Sequence, residues 1–256
     1  MLASCPSCCI WTSSVYHGEP GIRTLKELAR SYIAMTRDLT RVMSRLKAIY
    51  RSWGIPCAGQ QVYAPRYRAE WLAKISEAGV RRRGELYYQQ FDALAVLRQG
   101  LRRELLAEGR KHLNTRLLQQ IPSIGPIRAV LPLALMQTPN RFRTKRQLWA
   151  YCGSALRTYG SGEYRIVGGQ FKRAKKVLVV RGLNLNHDLK NIFKGAATRA
   201  ASTAGPFQDV YQACVARGVK PHLARLTLAR KIAAITLLVW NKGARFDAEH
   251  LKQQAA

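Results

Sequence analysis

Apolar residues recur with a seven-residue spacing between Ile22 and Trp53. One series consists of Leu25, Tyr32, Leu39, Leu46 and Trp53, and a second, three residues later, consists of Leu28, Met35, Val42 and Ile49. Two interleaved series of this kind form the a and d positions of a heptad repeat, which is typical of a long helix packed on a helical partner. Gly54-Ile55-Pro56 predicts the end of that helix.

A second long apolar stripe predicts the partner helix, from about Arg83 to His112, with a short helix from Arg66 to Gly79 before it. Its members are Tyr87, Phe91, Leu94, Leu97, Leu101 and Leu105. The simplest arrangement is an antiparallel coiled-coil or helical-hairpin arm over residues 21–113, after a poorly structured start at residues 1–20. We expect the arm to be mainly a structural scaffold and to associate with further copies as a dimer or tetramer.

The next segment predicts two short helices joined by a tight turn. Ile121-Pro122-Ser123-Ile124-Gly125-Pro126 follows Leu117-Leu118, and Ile127-Arg128 continues it. Gly125 permits close backbone approach, and Pro126 suits the first turn of a helix whose free N–H groups can hold a phosphate. This is the logic of a helix-hairpin-helix, which binds the nucleic-acid backbone without reading sequence. An ordinary helix–helix turn is the alternative.

The rest of the chain completes a mainly α fold, with a compact basic domain at 114–250. A short helix is predicted from Gln147 to Gly153, and a loop or brief hairpin from Ala155 to Gly169. Three helices follow, at Leu185–Ala201, Pro206–Arg217 and Pro221–Lys242.

Charge changes the picture, because 43 Lys and Arg against 14 Asp and Glu give a net charge of +29 on 256 residues. A chain with 47% hydrophobic residues is too apolar for a disordered basic tail, so this excess indicates a folded nucleic-acid-binding protein. The densest part lies between Arg141 and Arg181, where only Glu163 opposes the cations. The longest apolar run, Ile232–Trp240, is too short to span a membrane. The sequence therefore predicts a cytoplasmic protein with no membrane partner.

The cysteines do not predict a metal site or a disulfide framework. Cys5 and Cys8 have the spacing of zinc ligands, but no second Cys or His pair follows to complete four ligands. Cys57, Cys152 and Cys214 are isolated in the sequence.

With the motifs in order, the chain resembles the transposases of the insertion-sequence 110/116/902 family over about residues 15–250. The resemblance rests on blocks that keep their order: Ile121-Pro-Ser-Ile-Gly125-Pro, Arg141-Phe142, Leu148-Trp-Ala150-Tyr-Cys-Gly153, Tyr159-Gly-Ser161-Gly162-Glu, Gly169-Gln-Phe-Lys172-Arg173, Leu228-Ala-Arg230-Lys231, Trp240-Asn-Lys-Gly243 and Phe246-Asp247. Where the family often shows Lys-Arg-Gly-Asn, this chain has Lys172-Arg173-Ala174-Lys175.

The resemblance implies a mechanism that the residues alone do not. Family members use a serine that attacks the DNA phosphodiester, and Ser161 is the positional match, ahead of Ser154. They pair this part with an RNase-H-like Asp-Glu-Asp-Asp domain that binds Mg²⁺, and a structured guide RNA directs characterised relatives. No acidic cluster of that kind occurs here, so we expect a truncated copy that binds no metal itself and is inactive alone, nucleoid-associated in a bacterium.

Three interpretations therefore stay open: a DNA transposase, a non-catalytic DNA- or RNA-binding helical protein, and a dimerising scaffold whose charge is incidental. In the first two, the nucleic-acid contacts come from the tight turn and the basic segment. The predicted residues are Ser123, Gly125, Arg128, Arg157, Arg165, Lys172, Arg173, Lys175 and Lys176.

Overall fold

The computed structural model describes residues 20–159, 164–173, 177–180 and 185–248. The helices are α1 (Pro20–Ser52), α2 (Arg68–Ala73), α3 (Ala78–Arg110), α4 (Leu113–Gln119), α5 (Pro126–Met136), α6 (Lys145–Tyr151), α7 (His187–Ser202), α8 (Pro206–Ala216) and α9 (Pro221–Lys242). Four short strands lie between α6 and α7: β1 (Leu156–Tyr159), β2 (Tyr164–Val167), β3 (Gln170–Arg173) and β4 (Val177–Val180). The mainly α fold expected from the sequence is confirmed.

Helices α1 and α3 form the arm and pack along each other over most of their length. The predicted seam is buried at Leu25, Leu39, Val42, Leu46 and Ile49. Two predicted buried positions are wrong, Trp53 of this seam and Leu97 of the apolar stripe on α3. Trp53 is 44% exposed because α1 ends at Ser52 and Gly54 turns the chain with a positive φ, and Leu97 is 56% exposed on the outer side of α3.

The far end of the arm has its own small core, built on Tyr50 and Tyr88. The Tyr88 hydroxyl donates to the Val62 carbonyl at 2.8 Å and lies 3.0 Å from the Tyr50 hydroxyl. Burial raises the pKa of both phenols. Arg68 lies against the Tyr88 ring and makes a two-pronged contact with Asp92, at 2.6 and 2.7 Å. These contacts fix the short helix α2 against α3.

A second, larger core joins the near end of the arm to helices α4–α9. Leu25, Ala29 and Leu105 of the arm belong to the same hydrophobic cluster as the buried residues of α5, α7 and α9. Helix α9 is its centre, and its buried residues are Ala224, Leu228, Ala229, Ile232, Ala233, Ala234, Ile235, Thr236, Leu237, Val239 and Trp240. The near end of the arm is thus part of the main body's packing.

The strands pair in two antiparallel ladders. Strand β1 pairs with β4, from Leu156 opposite Val180 to Tyr159 opposite Val177. Strand β2 pairs with β3, and Gly168 and Gly169 join them with positive φ angles of 61° and 76°. A two-residue hairpin loop with positive φ at both positions favours glycine. The loop or brief hairpin predicted over Ala155–Gly169 covers β1 and β2, but their partner strands β4 and β3 both lie beyond Gly169. The β1–β4 ladder brackets the β2–β3 hairpin.

Gly109 offers a direct test of how the arm meets the main body. A Cβ atom there would lie 2.4 Å from a Val130 methyl group of α5, whereas a Cβ on Gly100, in the same helix, meets nothing within 4 Å. Gly109→Ala should therefore lower the free energy of unfolding by about 1–3 kcal/mol through overpacking. Gly100→Ala should raise it by about 0.5–1 kcal/mol, since alanine favours helix. Chemical denaturation of both variants measures the difference; equal effects would contradict the close contact.

Candidate nucleic-acid interface

The tight turn between α4 and α5 is anchored from inside by two isoleucines. Ile121 and Ile124 are buried, and the Ile124 N–H donates to the Ile121 carbonyl at 3.1 Å. Ser123, at the outer side, has a positive φ of 72°. The helix, turn and helix expected here are present, while the use of this turn for nucleic-acid binding stays a prediction.

Gly125 caps the start of α5 and leaves an open surface in front of it. Its φ of −79° and ψ of 176° are accessible to any residue, and a Cβ atom would meet nothing within 4 Å. Neither the backbone nor the packing of this chain requires glycine there. This open space allows an external group, such as a phosphate, to approach the first N–H groups of the helix closely.

Arg128 stands one turn into α5 and is half-buried between the turn and α7. Its guanidinium donates to the Ser123 carbonyl at 3.4 Å, and a Cβ on Gly195 would lie 3.3 Å from it. Burial, and secondarily the charge of Arg199, lower the pKa of Arg128. An anion bound near Arg128 would favour its charged form.

Four cations lie at the start of α6 and in the segment just before it; they are here named the α6 basic face and are Arg141, Arg143, Lys145 and Arg146. All four are exposed. A capping box fixes the start of the helix: the Thr144 hydroxyl accepts from the Gln147 N–H at 3.3 Å, and the Gln147 side-chain oxygen accepts from the Thr144 N–H at 3.4 Å. The same oxygen also accepts from the Arg143 N–H at 2.8 Å. The cations thus project from a fixed backbone.

An arginine–tryptophan pair attaches α6 to the central helix. The Trp149 indole N–H donates to the Arg230 carbonyl at 2.9 Å, and the Arg230 guanidinium lies 4.2 Å from the Trp149 ring centre. Burial lowers the pKa of Arg230, whose Nε atom is buried without a hydrogen-bond partner. This anchor was not identified as such from the sequence, because the partners are far apart in the chain.

The strand segment carries several of the predicted contacts, and the structure gives their register. Arg157 of β1 is opposite Val179, Arg165 of β2 is opposite Lys172, and Arg173 of β3 is opposite Tyr164. Ser161, Lys175 and Lys176 lie outside the described residues. Ser161 falls between β1 and β2, whose adjoining residues Tyr159 and Tyr164 are paired with Val177 and Arg173.

Ser154, the second-ranked serine, is 7% exposed and donates to the Trp149 carbonyl at 3.3 Å. It borders a cavity of about 410 Å³ between α7 and α9, whose lining includes Lys190, Lys194 and Arg225. Cys152 also lines this cavity, and burial raises the pKa of its thiol to about 12. A thiol with that pKa stays protonated at neutral pH and is a poor nucleophile.

The described residues contain no group of three or more His, Cys, Asp or Glu side chains arranged to hold a metal ion. Within the same residues, no helix is long and apolar enough to cross a membrane. Cys57, Cys152 and Cys214 are buried and free, and Cys5 and Cys8 lie outside the described residues.

Comparison with known families finds a match within this region. Residues 115–181 match the model of the Transposase IS116/IS110/IS902 family. The chain is similar to that transposase family over this segment. The transposase segment contains the tight turn, α5, α6 and all four strands, and it confirms the resemblance seen in the sequence. No curated protein matches the chain.

Gly125 separates a binding role from a structural one. Gly125→Ser should leave the free energy of unfolding unchanged or raise it by a few tenths of a kcal/mol, because serine is a good N-cap residue. The same change fills the open surface and should weaken DNA binding several-fold if a phosphate approaches the helix start. Thermal unfolding and fluorescence anisotropy with a labelled duplex measure the two effects. Unchanged affinity would exclude the turn from the interface.

Proposed function

We propose that this chain is a DNA transposase of an insertion sequence. In this proposal it binds nucleic acid through the turn, the α6 basic face and the strand segment, and it carries the nucleophile at Ser161. The observation that supports the proposal most is the family match, since residues 115–181 include these three features together. The match to a transposase family implies interaction with DNA.

Electrostatics supports nucleic acid as the partner. Between residues 114 and 248 the chain has four acidic residues, Glu163, Asp188, Asp209 and Asp247, against many Lys and Arg. Both strands of the β2–β3 ladder carry cationic residues in their sequence, with Arg165 opposite Lys172 in the register. A nucleic-acid strand that binds such cations gains affinity from releasing its counterions.

The chemistry proposed for Ser161 is a phosphoryl transfer. Its hydroxyl oxygen attacks the phosphorus of a DNA phosphodiester and loses its proton to a base. A Ser161 O–P bond forms, the bond from phosphorus to one strand oxygen breaks, and that oxygen takes up a proton as a free hydroxyl. A serine hydroxyl is a weak nucleophile and requires such activation. Arg157 and Arg165, on β1 and β2 beside Ser161 in the sequence, are the proposed phosphate clamps.

Two further parts of the proposal come from the family resemblance, and a third, self-association, comes from the heptad series of the arm. In family members the metal ions belong to the RNase-H-like domain, and we propose the same for this protein. A structured guide RNA is a proposed partner. Further copies of the chain are another, and α3 leaves Leu86, Val96 and Leu97 exposed on the arm.

The α6 basic face should account for part of the salt dependence of binding. Replacing Arg143, Lys145 and Arg146 with glutamine should reduce the slope of log affinity against log salt by about 2–3, because each lost phosphate contact contributes about 0.9. The control replaces the exposed residues Arg102, Arg103 and Arg110 of α3 with glutamine, which removes the same amount of charge. Anisotropy titrations at several salt concentrations compare them. Equal slopes for the two variants would exclude the α6 basic face.

Covalent trapping tests the nucleophile. With Mg²⁺ and the RNase-H-like domain of a family member added as a separate polypeptide, the wild-type chain should form a protein–DNA adduct that survives denaturing gel electrophoresis. Ser161→Ala should abolish the adduct and leave DNA affinity unchanged, whereas Ser154→Ala should retain it. An adduct that survives Ser161→Ala would show that Ser161 is not the nucleophile. If the wild-type chain binds DNA but forms no adduct, the result would favour the interpretation of a non-catalytic binding protein.

A further inference from the structure

A basic pocket of about 360 Å³ lies where the arm meets the main body. Helix α1 forms one wall, and the end of α5, Arg141, Tyr151 and the start of α7 form the other. Its cationic lining residues are Lys26, Arg30, Arg37 and Arg141, and Asp188 is the only acidic residue among the described residues that line it. The pocket is therefore suited to an anion.

Gln137 gives the pocket an unsatisfied hydrogen-bond donor. Its side-chain Nε2 atom is buried and has no partner in the described structure, and the residue lines the pocket. Buried polar groups nearly always have a partner, so such an atom calls for an explanation. A bound anion with acceptor oxygens would provide one.

The backbone at Gln137 is also strained. Its φ of 65° and ψ of −46° lie in a region that residues with a side chain rarely adopt. Two backbone hydrogen bonds hold this conformation: Gln137 N–H to the Leu133 carbonyl at 2.9 Å, and Thr138 N–H to the Met136 carbonyl at 2.8 Å. Strain of this kind tends to be kept at ligand sites, and here it sets the position of the amide.

The opposite wall is equally fixed before any ligand binds. The Arg141 guanidinium lies 4.5 Å from the Tyr151 ring centre, and the Asn186 amide donates to the Tyr151 hydroxyl at 3.4 Å. The Asn186 side-chain oxygen in turn caps α7 by accepting from the N–H groups of Asp188 and Leu189. Stacking on an aromatic ring orients an arginine while leaving N–H groups for an oxyanion.

Existing ion pairs leave the pocket with positive charge in excess. Arg37 pairs with Asp188, and Arg30 pairs with Glu27 at 2.9 Å in an exposed contact. Exposed ion pairs of this kind are weak, so Arg30 can turn toward a ligand at little cost. Lys26 and Arg141 add two further charges at the same place.

We infer that this pocket binds a phosphate group of a nucleic-acid strand, and that the phosphate bridges the arm and the main body. Arginine guanidinium groups recognise phosphate oxygens through paired N–H donors, and the Gln137 amide adds a neutral one. Lys26, Arg30 and Arg37 lie on α1 while Arg141 and Gln137 belong to the main body, so one bound phosphate contacts both. The assignment of the phosphate to nucleic acid rests on the proposed function, because free phosphate would present the same oxygen atoms to the pocket.

The test compares Arg30→Gln, Arg141→Gln and their double variant with a control, Arg23→Gln, in the full chain. Arg23 is exposed on α1, one heptad before Arg30, and does not line the pocket. Pyrophosphate, titrated at constant ionic strength, should raise the wild-type unfolding temperature saturably, since it binds only the folded state. Each pocket variant should weaken pyrophosphate and oligonucleotide binding about tenfold, and the control less than twofold. The effects of Arg30→Gln and Arg141→Gln should be non-additive, because the two contact one ligand.

Gln137→Gly separates binding from stability. Glycine relieves the positive φ, so the variant without ligand should unfold at a higher temperature than the wild type, while its pyrophosphate shift should shrink. If Gln137 had only a structural role, its replacement would not raise the unfolding temperature and at the same time reduce the shift caused by pyrophosphate.

The outcomes distinguish the site from its ligand source. No saturable shift with pyrophosphate, or equal losses in Arg141→Gln and the control, would overturn the pocket. Loss of the pyrophosphate shift with unchanged oligonucleotide affinity would overturn nucleic acid as the source and assign free phosphate. Failure of the wild type to bind any nucleic acid, with the pyrophosphate shift intact, would refute the proposed function and leave the phosphate site standing.

Discussion

The contact between Gly109 of α3 and Val130 of α5 decides how the arm is attached to the rest of the molecule. Gly109 lies so close to the Val130 side chain that a single added methyl group on Gly109 would overlap it. Leu105 of α3 lies in the core shared with α5, α7 and α9, and Leu25 and Ala29 of α1 lie in the same core. Helix α1 also contacts α5 directly, and these contacts together place α1 beside the main-body residues of the basic pocket.

Charge is the second constraint, and it acts against the first. Tight packing brings together segments that carry a strong excess of cations, and the few carboxylates are concentrated on the arm. Of the ion pairs described by the structure, the Arg37–Asp188 contact joins the arm to the main body. A junction with so little internal neutralisation gains stability from an external polyanion. Nucleic acid binding and folding of the junction are therefore linked.

The sequence predicted well where one period controls an entire element. The heptad series predicted the bounds of α1 to within two residues at each end, because the buried face of this helix is regular from Leu25 to Ile49. The prediction of burial failed at Trp53 and Leu97, because the apolar spacing continues there but the side chains are exposed. The strand ladders were anticipated only as a brief hairpin, because a β1–β4 pairing across some twenty residues leaves no local signal.

The candidate site shows the same division between local and distant information. The turn at Ser123–Gly125 and the cations of the α6 basic face were visible as motifs. The basic pocket was not, because Arg30, Gln137, Tyr151 and Asn186 come from four separate elements. No spacing rule brings them together; the α3–α5 contact and the packing of α7 do. The strained Gln137 backbone is likewise invisible in a sequence, since glutamine is an ordinary residue after a helix.

These features together assign different tasks to different parts of one basic surface. The turn and the α6 basic face present donors on an open surface, which suits contacts to a strand backbone that carry no sequence preference. The pocket between α1 and the main body is partly enclosed and holds its donors in place, which favours one phosphate in one position. A strand that occupies both is bound by many weak contacts and positioned by one specific contact. Positioning of this kind matters for the proposed function, because phosphoryl transfer depends on the alignment of attacking and leaving oxygens.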